Sequence, residues 1–183
     1  GVNAPNALQA AALPRLLAGD DAVVSAQTGA GESLLFLMPM LQRLAQRHEA
    51  VPRPRRAATR RSFPEALVLA PSRELSCQLA DVATALAKSV HGVRVAAVTG
   101  GVAYTPQKRL LRSGAVNLVV ATPERLLYHL QERSLSLSEL RCLAVDEADA
   151  LLYGGGTIAD EVESLLELIG SRSREAPATP PQH

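Results

Sequence analysis

Five short apolar runs alternate with segments of helical periodicity, and this alternation constrains the fold of the 183-residue chain more than any other feature. Consecutive strands that are separated by helices run parallel in one sheet, and strands made almost wholly of apolar residues are buried on both faces. The pattern therefore predicts an α/β domain with a parallel sheet of at least five strands and helices on both faces. The predicted strands cover residues 22–26, 66–70, 93–98, 116–121 and 140–145, and the predicted helices cover 33–47, 73–89, 106–112, 123–133 and 158–169.

The composition excludes a disordered chain and gives no sign of a membrane protein or of a basic protein. Hydrophobic residues make up 47% of the sequence and aromatic residues only 3%, so the core must be built from Ala, Leu and Val. The 19 basic and 18 acidic residues leave a formal net charge of +1, so any surface that attracts nucleic acid must be local. No apolar run reaches the roughly 18 to 20 residues that a membrane-spanning helix needs.

The two cysteines, Cys77 and Cys142, are too few for a disulfide framework and lack the spacing of a metal motif. Two buried thiols are the simpler interpretation, and they predict a protein of a reducing compartment inside the cell. The sequence does not distinguish the nucleus or nucleolus, the cytoplasm and an organelle such as the mitochondrion.

The sequence predicts one domain over residues 1–170, followed by a flexible linker or tail over residues 171–183. A Pro- and Arg-rich insertion at about residues 48–64 interrupts the domain. The insertion is either an arm that contacts phosphates or a solvated loop, and its composition alone slightly favours the loop.

A glycine-containing loop lies between the first predicted strand and the helix that follows it, which is where a phosphate-binding loop is found. Gly29 and Gly31 would let the backbone approach an anion closely, and the N–H groups at the start of the helix would face that anion. Ser33 supplies the hydroxyl that usually holds Mg²⁺, but Glu32 stands where a Lys usually reaches the β- and γ-phosphates of ATP. The predicted ATP-binding residues of this loop are Gln27, Thr28, Gly29, Ala30, Gly31, Glu32 and Ser33.

A pair of acidic residues, Asp146 and Glu147, directly follows the last predicted strand. At the carboxyl end of a central strand, Asp146 would hold Mg²⁺ through water together with Ser33, and Glu147 would polarise the attacking water. Enrichment of acids at a helix N-terminus explains either residue alone, but it does not explain the pair together with the glycine loop. The sequence therefore predicts Asp146 and Glu147 as the catalytic residues.

With these two motifs, the chain resembles the first RecA-like domain of the DEAD-box ATP-dependent RNA helicases over nearly its whole length. Residues 5–9 and 13–14 resemble the Q motif of that family, in which Gln9 would pair with adenine. Four further segments resemble motif Ia (residues 70–75), the GG motif (100–101), motif Ib (122–125) and motif II (146–149). Five ordered motifs at the spacing of the family make the resemblance specific.

The resemblance implies a RecA-like fold, ATP and Mg²⁺ as cofactors, and RNA as a partner that is held by its backbone irrespective of the bases. Protein or ribonucleoprotein partners are also expected. Without the resemblance, Arg73 and Arg125 would be interpreted as partners in surface ion pairs. The implied RNA-binding residues are Pro71, Ser72, Arg73, Glu74, Gly100, Gly101, Thr122, Pro123 and Arg125.

The chain departs from the family pattern at two charged positions. Glu32 reverses the charge of the usual Lys, so ATP turnover is expected to be weak or absent. Glu124 stands where motif Ib usually has Gly, and it adds a carboxylate where an RNA phosphate would approach. The chain also carries no Ser-Ala-Thr motif and no second RecA-like domain, so it is not expected to unwind RNA alone.

Two hypotheses follow from these motifs and departures. The first is the ATP-binding half of an RNA-dependent ATPase that opens short duplexes, in which Glu32 is an engineered or tolerated lesion. The second is a catalytically degenerate helicase that serves as a structural RNA- or protein-binding factor in ribonucleoprotein assembly. The intact pair of Asp146 and Glu147 favours the first hypothesis.

Overall fold

A computed structural model of the chain describes residues 4–25, 29, 31–50, 61–90 and 92–175. Within these ranges the chain forms helices and four strands that alternate along most of its length. In chain order they are α1 Ala7–Ala18, α2 Glu32–Ala50, β1 Ala66–Leu69, α3 Arg73–Ala87, β2 Val95–Val98, α4 Tyr104–Arg112, β3 Leu118–Ala121, α5 Pro123–Gln131, β4 Cys142–Val145, α6 Ala148–Tyr153 and α7 Thr157–Glu175.

The four strands form one parallel sheet in the order β2-β3-β1-β4. Every residue of β1 and β3 is buried, as the apolar runs predict for central strands. The flanking strands β2 and β4 are only partly buried. The predicted α/β class with a parallel sheet is confirmed.

The two faces of the sheet are covered by different helices, because alternate residues of a strand point to opposite faces. Leu67 and Val119 face a cluster to which α4, α5, α6 and α7 contribute apolar side chains. Val68 and Val120 face a second cluster, which is completed by α2 and α3. Helices therefore lie on both faces, as predicted.

The strand predicted over residues 22–26 is not formed by residues 22–25, so the described sheet has four strands rather than five. Ala26 lies outside the described residues. Val23 is completely exposed. A strand needs a neighbour for its N–H and C=O groups, and in the described part of the chain no strand pairs with this segment. An apolar run predicts that a segment is buried, but it does not show whether a neighbouring strand is available to pair with that segment.

Helices also extend beyond the predictions at both ends of the chain. Helix α1, which was not predicted, contains Pro14 and ends at Gly19, whose positive φ of 108° closes the helix. Helix α7 continues through residues 171–175, which the sequence assigned to the tail. Residues 176–183 lie outside the described residues.

The predicted insertion at residues 48–64 is described only at its two ends. Residues 48–50 belong to α2, and residues 51–60 lie outside the described residues. At the far end, Ser62 is fully buried and its Oγ donates a hydrogen bond to the carbonyl oxygen of Leu111 at 2.6 Å. The backbone N–H of Ser62 donates to the carbonyl oxygen of Ser134 at 3.2 Å. The chain therefore re-enters the core at a fixed point.

Glu65 connects the end of α2 to the amino-terminal edge of the sheet, a contact that no sequence pattern predicts. Its side chain is 1% exposed, and Arg47 Nε lies 2.5 Å from its Oε2. His48 Nε2 lies 3.4 Å from Oε1 of the same carboxylate. The backbone oxygen of Glu65 accepts hydrogen bonds from the N–H groups of Arg141 and Cys142. This contact holds the edge opposite to the one where the strands end.

We expect the substitution Glu65→Ala to lower the free energy of unfolding by about 2 kcal/mol, because it removes the buried partner of Arg47 and His48. Urea denaturation followed by circular dichroism measures the change. Glu163 is an exposed carboxylate on α7, so Glu163→Ala should change the free energy by less than about 0.5 kcal/mol. Equal effects of the two substitutions would show that the buried ion pair contributes nothing to stability.

Candidate active site

The segments predicted to carry function lie at one edge of the sheet, because parallel strands all end on the same side. Residues 70–74 follow β1, residues 99–101 follow β2, and residues 122–125 follow β3. Asp146 and Glu147 follow β4, which pairs with β1. Loops at the carboxyl edge of an open parallel sheet are the usual position of ligand sites.

Gln9 joins the start of the chain to the glycine loop. Its backbone N–H donates to Asn6 Oδ1 at 2.9 Å, and its side-chain Oε1 accepts from the N–H of Asn6 at 3.2 Å, which together cap helix α1. Its Nε2 donates to the carbonyl oxygen of Gly31 at 3.2 Å. The side chain is buried, so it reaches the loop and caps the helix at the same time. The Asn-x-x-Gln spacing of a capping box was a signal for α1 that the sequence analysis missed.

Gly31 has to be glycine for this contact to exist. Its φ is 79°, and a Cβ atom at this position would lie 2.5 Å from Gln9 Nε2. Gly29 also has a positive φ, of 87°. Four loop positions, Ala26, Gln27, Thr28 and Ala30, lie outside the described residues, so their predicted contacts with ATP remain predictions.

Asp146 is held at the end of β4 by its backbone, since its N–H donates to the carbonyl oxygen of Leu69 at 2.9 Å. Burial raises the pKa of its carboxyl group, and the charge of Glu32 raises that pKa further. The hydrogen bond that Oδ1 accepts from the N–H of Glu147, at 3.2 Å, acts in the opposite direction. The charge that acts on Asp146 is therefore that of a second carboxylate, at the position where the usual loop sequence has the ammonium group of a Lys.

Glu32 is the first residue of α2. A carboxylate at this position interacts favourably with the positive end of the helix, which gives the residue a structural role. That role leaves one atom unexplained, since Oε1 is buried and has no hydrogen-bond partner among the residues that the structure describes. A buried polar atom without a partner among these residues calls for a structural or functional explanation.

Glu147 has an unusual backbone conformation, with φ at 51° and ψ at 51°. A residue with a Cβ atom pays about 1–3 kcal/mol for such a conformation, and positions of this kind are common at functional sites. Glu147 is exposed and precedes the first turn of α6, where Leu151 N–H donates to its carbonyl oxygen at 3.1 Å. Its carboxylate is therefore accessible to water at the edge of the sheet.

The donor atoms at this edge suit Mg²⁺, which prefers oxygen ligands. The predicted metal residues Asp146 and Ser33 carry a carboxylate and a hydroxyl oxygen, and Glu32 beside Ser33 carries a second carboxylate. In the described ranges, no group of three or more His, Cys, Asp or Glu side chains is arranged to hold a metal ion. Water or ligand oxygens would therefore have to complete the coordination.

Two of the segments predicted to contact RNA are joined by a hydrogen bond, whereas Pro123, which was also predicted to contact RNA, is buried. Arg73 Nη1 donates to the carbonyl oxygen of Gly101 at 3.0 Å, which joins motif Ia to the GG motif. Ser72 caps α3, since its Oγ accepts from the N–H of Leu75 at 3.2 Å. Thr122 precedes α5, and its hydroxyl makes no capping hydrogen bond. The remaining predicted positions are Pro71 and Glu74 around the start of α3, Gly100 after β2, and Pro123 and Arg125 in the first turn of α5.

A cleft of about 480 Å³ lies next to motif Ib and is more acidic than the sequence predicted. Tyr104 and Tyr128 line it together with Arg125 and two carboxylates, Glu124 and Glu161. Burial raises the pKa of Glu161, and the charges of Glu124 and Asp160 raise it further. Sequence reasoning identified Glu124, but Glu161 comes from α7 and reaches the cleft only through the tertiary fold.

His129 connects α5 to the loop after β2, and this connection was not predicted. The side chain is fully buried, and its Nε2 lies 3.2 Å from Gln107 Oε1. Gln107 Nε2 donates in turn to the carbonyl oxygen of Thr99 at 2.9 Å. Tyr104 stacks on the imidazole with ring centroids 4.9 Å apart. Burial lowers the pKa of His129 to about 4, and the charges of Arg125 and Lys108 contribute.

The sheet order and the position of the motifs at its carboxyl edge define the class of protein, which is a RecA-like α/β domain. A solved structure titled as a hypothetical ATP-dependent RNA helicase from Sulfolobus tokodaii has the same fold, with a TM-score of 0.73 and 28% sequence identity. The match covers 91% of this chain and 43% of that one.

The family model described as DEAD/DEAH box helicase matches residues 6–181. The chain is 40% identical over 169 residues to the ATP-dependent RNA helicase DeaD of Escherichia coli (strain K12), which covers 92% of this chain and 24% of the relative. It is 38% identical to the protein of the same name from Mycobacterium tuberculosis, over 91% of this chain and 27% of the relative. This chain therefore belongs to the DEAD/DEAH box helicase family, and it spans about a quarter of the length of these curated relatives.

None of the described helices is both long enough and apolar enough to cross a membrane.

Proposed function

We propose that this chain is the ATP- and RNA-binding half of an RNA helicase that couples ATP hydrolysis to the opening of short duplexes or to the remodelling of ribonucleoprotein particles. The observation that carries the proposal is the meeting of three separate motifs at one edge of the sheet. Gln9 contacts the glycine loop at Gly31, and the charge of Glu32 at the end of that loop reaches Asp146 after β4.

Each motif has a proposed role in binding ATP. Gln9 pairs with the adenine. The oxygen and the nitrogen of its side-chain amide already make hydrogen bonds with Asn6 and Gly31, so the base would have to replace at least one of them. Glu147 orients and polarises the attacking water from its exposed position. Mg²⁺, when bound, neutralises charge on the phosphates. Asp146 and Ser33 would hold it largely through water, and the loop residues Gln27, Thr28, Gly29, Ala30 and Gly31 would surround the phosphates.

The proposed RNA surface runs along the loops after β1, β2 and β3. Backbone N–H groups at the starts of α3 and α5, together with Arg73 and Arg125, suit phosphates and sugars rather than base edges. The carboxylates of Glu124 and Glu161 lie beside this surface and repel phosphate. We therefore place the RNA backbone along Arg73 and Gly101, away from the two carboxylates of the cleft that Arg125 also lines.

We propose that turnover in this chain is weak or absent because of Glu32. A carboxylate in place of an ammonium changes the local charge by two units. At about 4 Å and an effective dielectric constant near 20, each pair of unit charges interacts with an energy on the order of 4 kcal/mol. Hydrolysis is affected most, since the missing cation would have stabilised charge that develops on the γ-phosphate.

The second candidate function is that of a degenerate helicase, retained as a structural RNA- or protein-binding assembly factor. The charge of Glu32 acts on Asp146, and this favours the second candidate because two carboxylates at the site repel nucleotide. Nucleotide binding therefore separates the two candidates.

We expect Gln9→Ala to weaken binding of a fluorescent ATP analogue, in the presence of Mg²⁺, by about tenfold, since one or two hydrogen bonds contribute about 1–1.5 kcal/mol. Gln46 is exposed on α2, so Gln46→Ala serves as the matched control and should bind as the wild type does. Thermal unfolding of both variants separates lost binding from the loss of the cap on α1. If the wild-type chain binds no analogue even at millimolar concentration, the assembly factor is the better description.

A further inference from the structure

A second cleft, of about 230 Å³, lies at the amino-terminal edge of the sheet, opposite to the edge where the motifs meet. None of the proposed ATP- or RNA-binding residues lines it. Its lining consists of three arginines, one glutamate, one leucine and one cysteine, which are Arg43, Arg47, Arg141, Glu65, Leu44 and Cys142. The proposed function therefore leaves this cleft without a role.

The three arginines come from two segments that the fold holds in place. Arg43 and Arg47 are four residues apart, so they lie on the same face of α2. The guanidinium group of Arg43 packs against the end of α1, since a Cβ atom at Gly19 would lie 2.5 Å from its Nη2. Arg47 is held by the buried carboxylate of Glu65. Arg141 directly precedes β4, and its backbone N–H donates to the carbonyl oxygen of Glu65 at 2.8 Å.

The cleft carries more positive than negative charge. It is lined by three guanidinium groups and by one carboxylate, which pairs with Arg47. Among the residues that the structure describes, no carboxylate lies within ion-pair distance of Arg43 or Arg141. Two such cations in one cleft repel each other, and an anion that enters the cleft offsets that repulsion. Guanidinium groups match the oxygens of phosphate in pairs of parallel hydrogen bonds, so phosphate suits this lining.

We propose that this cleft binds a phosphate group of the RNA backbone, as a contact separate from the loops at the carboxyl edge. The inference deepens the proposed function and rests on it for RNA as the partner. Helices α2 and α3 cover the same face of the sheet, and α3 begins at Arg73 on the proposed RNA surface. Strands of four residues span about 13 Å, which about four stacked nucleotides also span. One strand of RNA can therefore reach both edges.

The charge of the neighbouring sequence favours RNA over an acidic protein segment. Phosphates follow one another at a regular spacing, so a strand that enters the cleft brings further negative charges beside it. The sequence that directly follows α2 supplies further cations, Arg53, Arg55, Arg56 and Arg60. These residues lie outside the described residues and are not part of the cleft. A row of cations of this kind suits a polyanion better than it suits a single carboxylate.

The test is the salt dependence of RNA binding by the 183-residue chain, measured by fluorescence anisotropy of a labelled oligouridine. Each phosphate contact adds about 0.7 to the slope of log K against log salt concentration for a single strand. We expect Arg43→Gln and Arg141→Gln each to lower that slope by about 0.7 and to weaken binding at low salt by about fivefold. An oligoadenosine should show the same losses, because phosphate contacts do not depend on the bases.

Arg94 provides the matched control for these variants. It is an exposed arginine that directly precedes β2, as Arg141 directly precedes β4, and it does not line the cleft. Arg94→Gln removes the same charge at the same edge of the sheet, so it should leave the affinity and the slope nearly unchanged. Circular dichroism checks that each variant is folded.

An Arg73→Gln variant separates this inference from the proposed function. If only Arg73→Gln weakens RNA binding, the inference is wrong and the proposed RNA surface stands. If only the cleft variants weaken it, the inference stands and the proposed surface fails, whereas losses in both support both. The inference also fails if Arg94→Gln has the same effect as the cleft variants or if the wild type binds no RNA. It fails as well if polyglutamate or inorganic phosphate displaces the labelled RNA as effectively as unlabelled RNA does at equal charge.

Discussion

Replacing Glu32 with Lys is expected to raise the affinity of the chain for ATP by about a hundredfold or more when EDTA removes divalent cations, which corresponds to about 2.7 kcal/mol. The substitution removes a carboxylate that repels the phosphates and supplies an ammonium that attracts them. The full Coulomb energy of two charge units would give a larger effect, but solvent and salt screen part of it. Isothermal titration calorimetry or a fluorescent ATP analogue measures the change.

Two further variants make this result specific to the loop. Glu32→Gln removes the repulsion without adding a cation, so its affinity should lie between those of the wild type and Glu32→Lys. Glu49→Lys makes the same charge change on the same helix, about 25 Å along its axis, and should leave the affinity nearly unchanged. A Glu32→Lys variant that binds ATP no better than the wild type would show that something other than this charge closes the site.

Acidification from pH 7 to pH 5 is expected to cost the folded chain about 2 kcal/mol through His129 alone. An unfolded His titrates near pH 6.5, whereas burial holds the pKa of His129 at about 4 in the folded state. Between these values the unfolded state binds more protons, so the free energy of unfolding falls as the pH falls from about 6.5 and stops falling near 4. Above pH 6.5 the residue contributes nothing to the pH dependence.

The hydrogen bonds around His129 explain why protonation is unfavourable. Gln107 Nε2 donates to Thr99, so Gln107 Oε1 is free to accept a proton from His129 Nε2. The other ring nitrogen, Nδ1, is buried and has no hydrogen-bond partner among the described residues. A second proton would therefore create a buried N–H group without an acceptor, close to Arg125 and Lys108.

Urea denaturation of the wild type and of His129→Phe at pH 7 and at pH 5 tests this expectation. Phe keeps a ring stacked on Tyr104 but does not titrate, so the variant should lose about 2 kcal/mol less than the wild type between the two pH values. The difference between two pH values is the readout, because the substitution also changes the stability at pH 7. Parallel pH profiles for the two proteins would contradict the buried, neutral imidazole.

Local patterns explain why much of the fold was predictable from the sequence. Central strands such as β1 and β3 are short and wholly apolar, and each is followed by a helix with a clear start such as Ser72 or Pro123. The strands of a parallel sheet all end at the same edge. A correct prediction of the strands therefore also predicts that the motifs after them lie at that edge. The position of Asp146 at the end of β4, next to β1, is an example.

What could not be predicted depends on contacts between distant segments. The run at residues 22–25 is apolar except for Ser25, but whether it forms a strand depends on whether a neighbouring strand pairs with it. The contact of Gln9 with Gly31, the burial of Glu65 against Arg47, and the approach of Glu161 to Glu124 each join segments that are separated in the sequence. No local pattern encodes these distances, so the electrostatics of the site required the structure.

The hydrogen bond between Arg73 and Gly101 has a consequence for how tightly the proposed RNA surface can bind. Gly101 has a φ of 70°, and a Cβ atom there would lie 2.8 Å from Arg73 Nη1, so the two loops are fitted to each other at this point. Loops that are already joined by a hydrogen bond lose little conformational entropy when RNA binds to them. More of the free energy of each phosphate contact is then available for affinity. This suits a surface proposed to bind RNA of any sequence through few contacts.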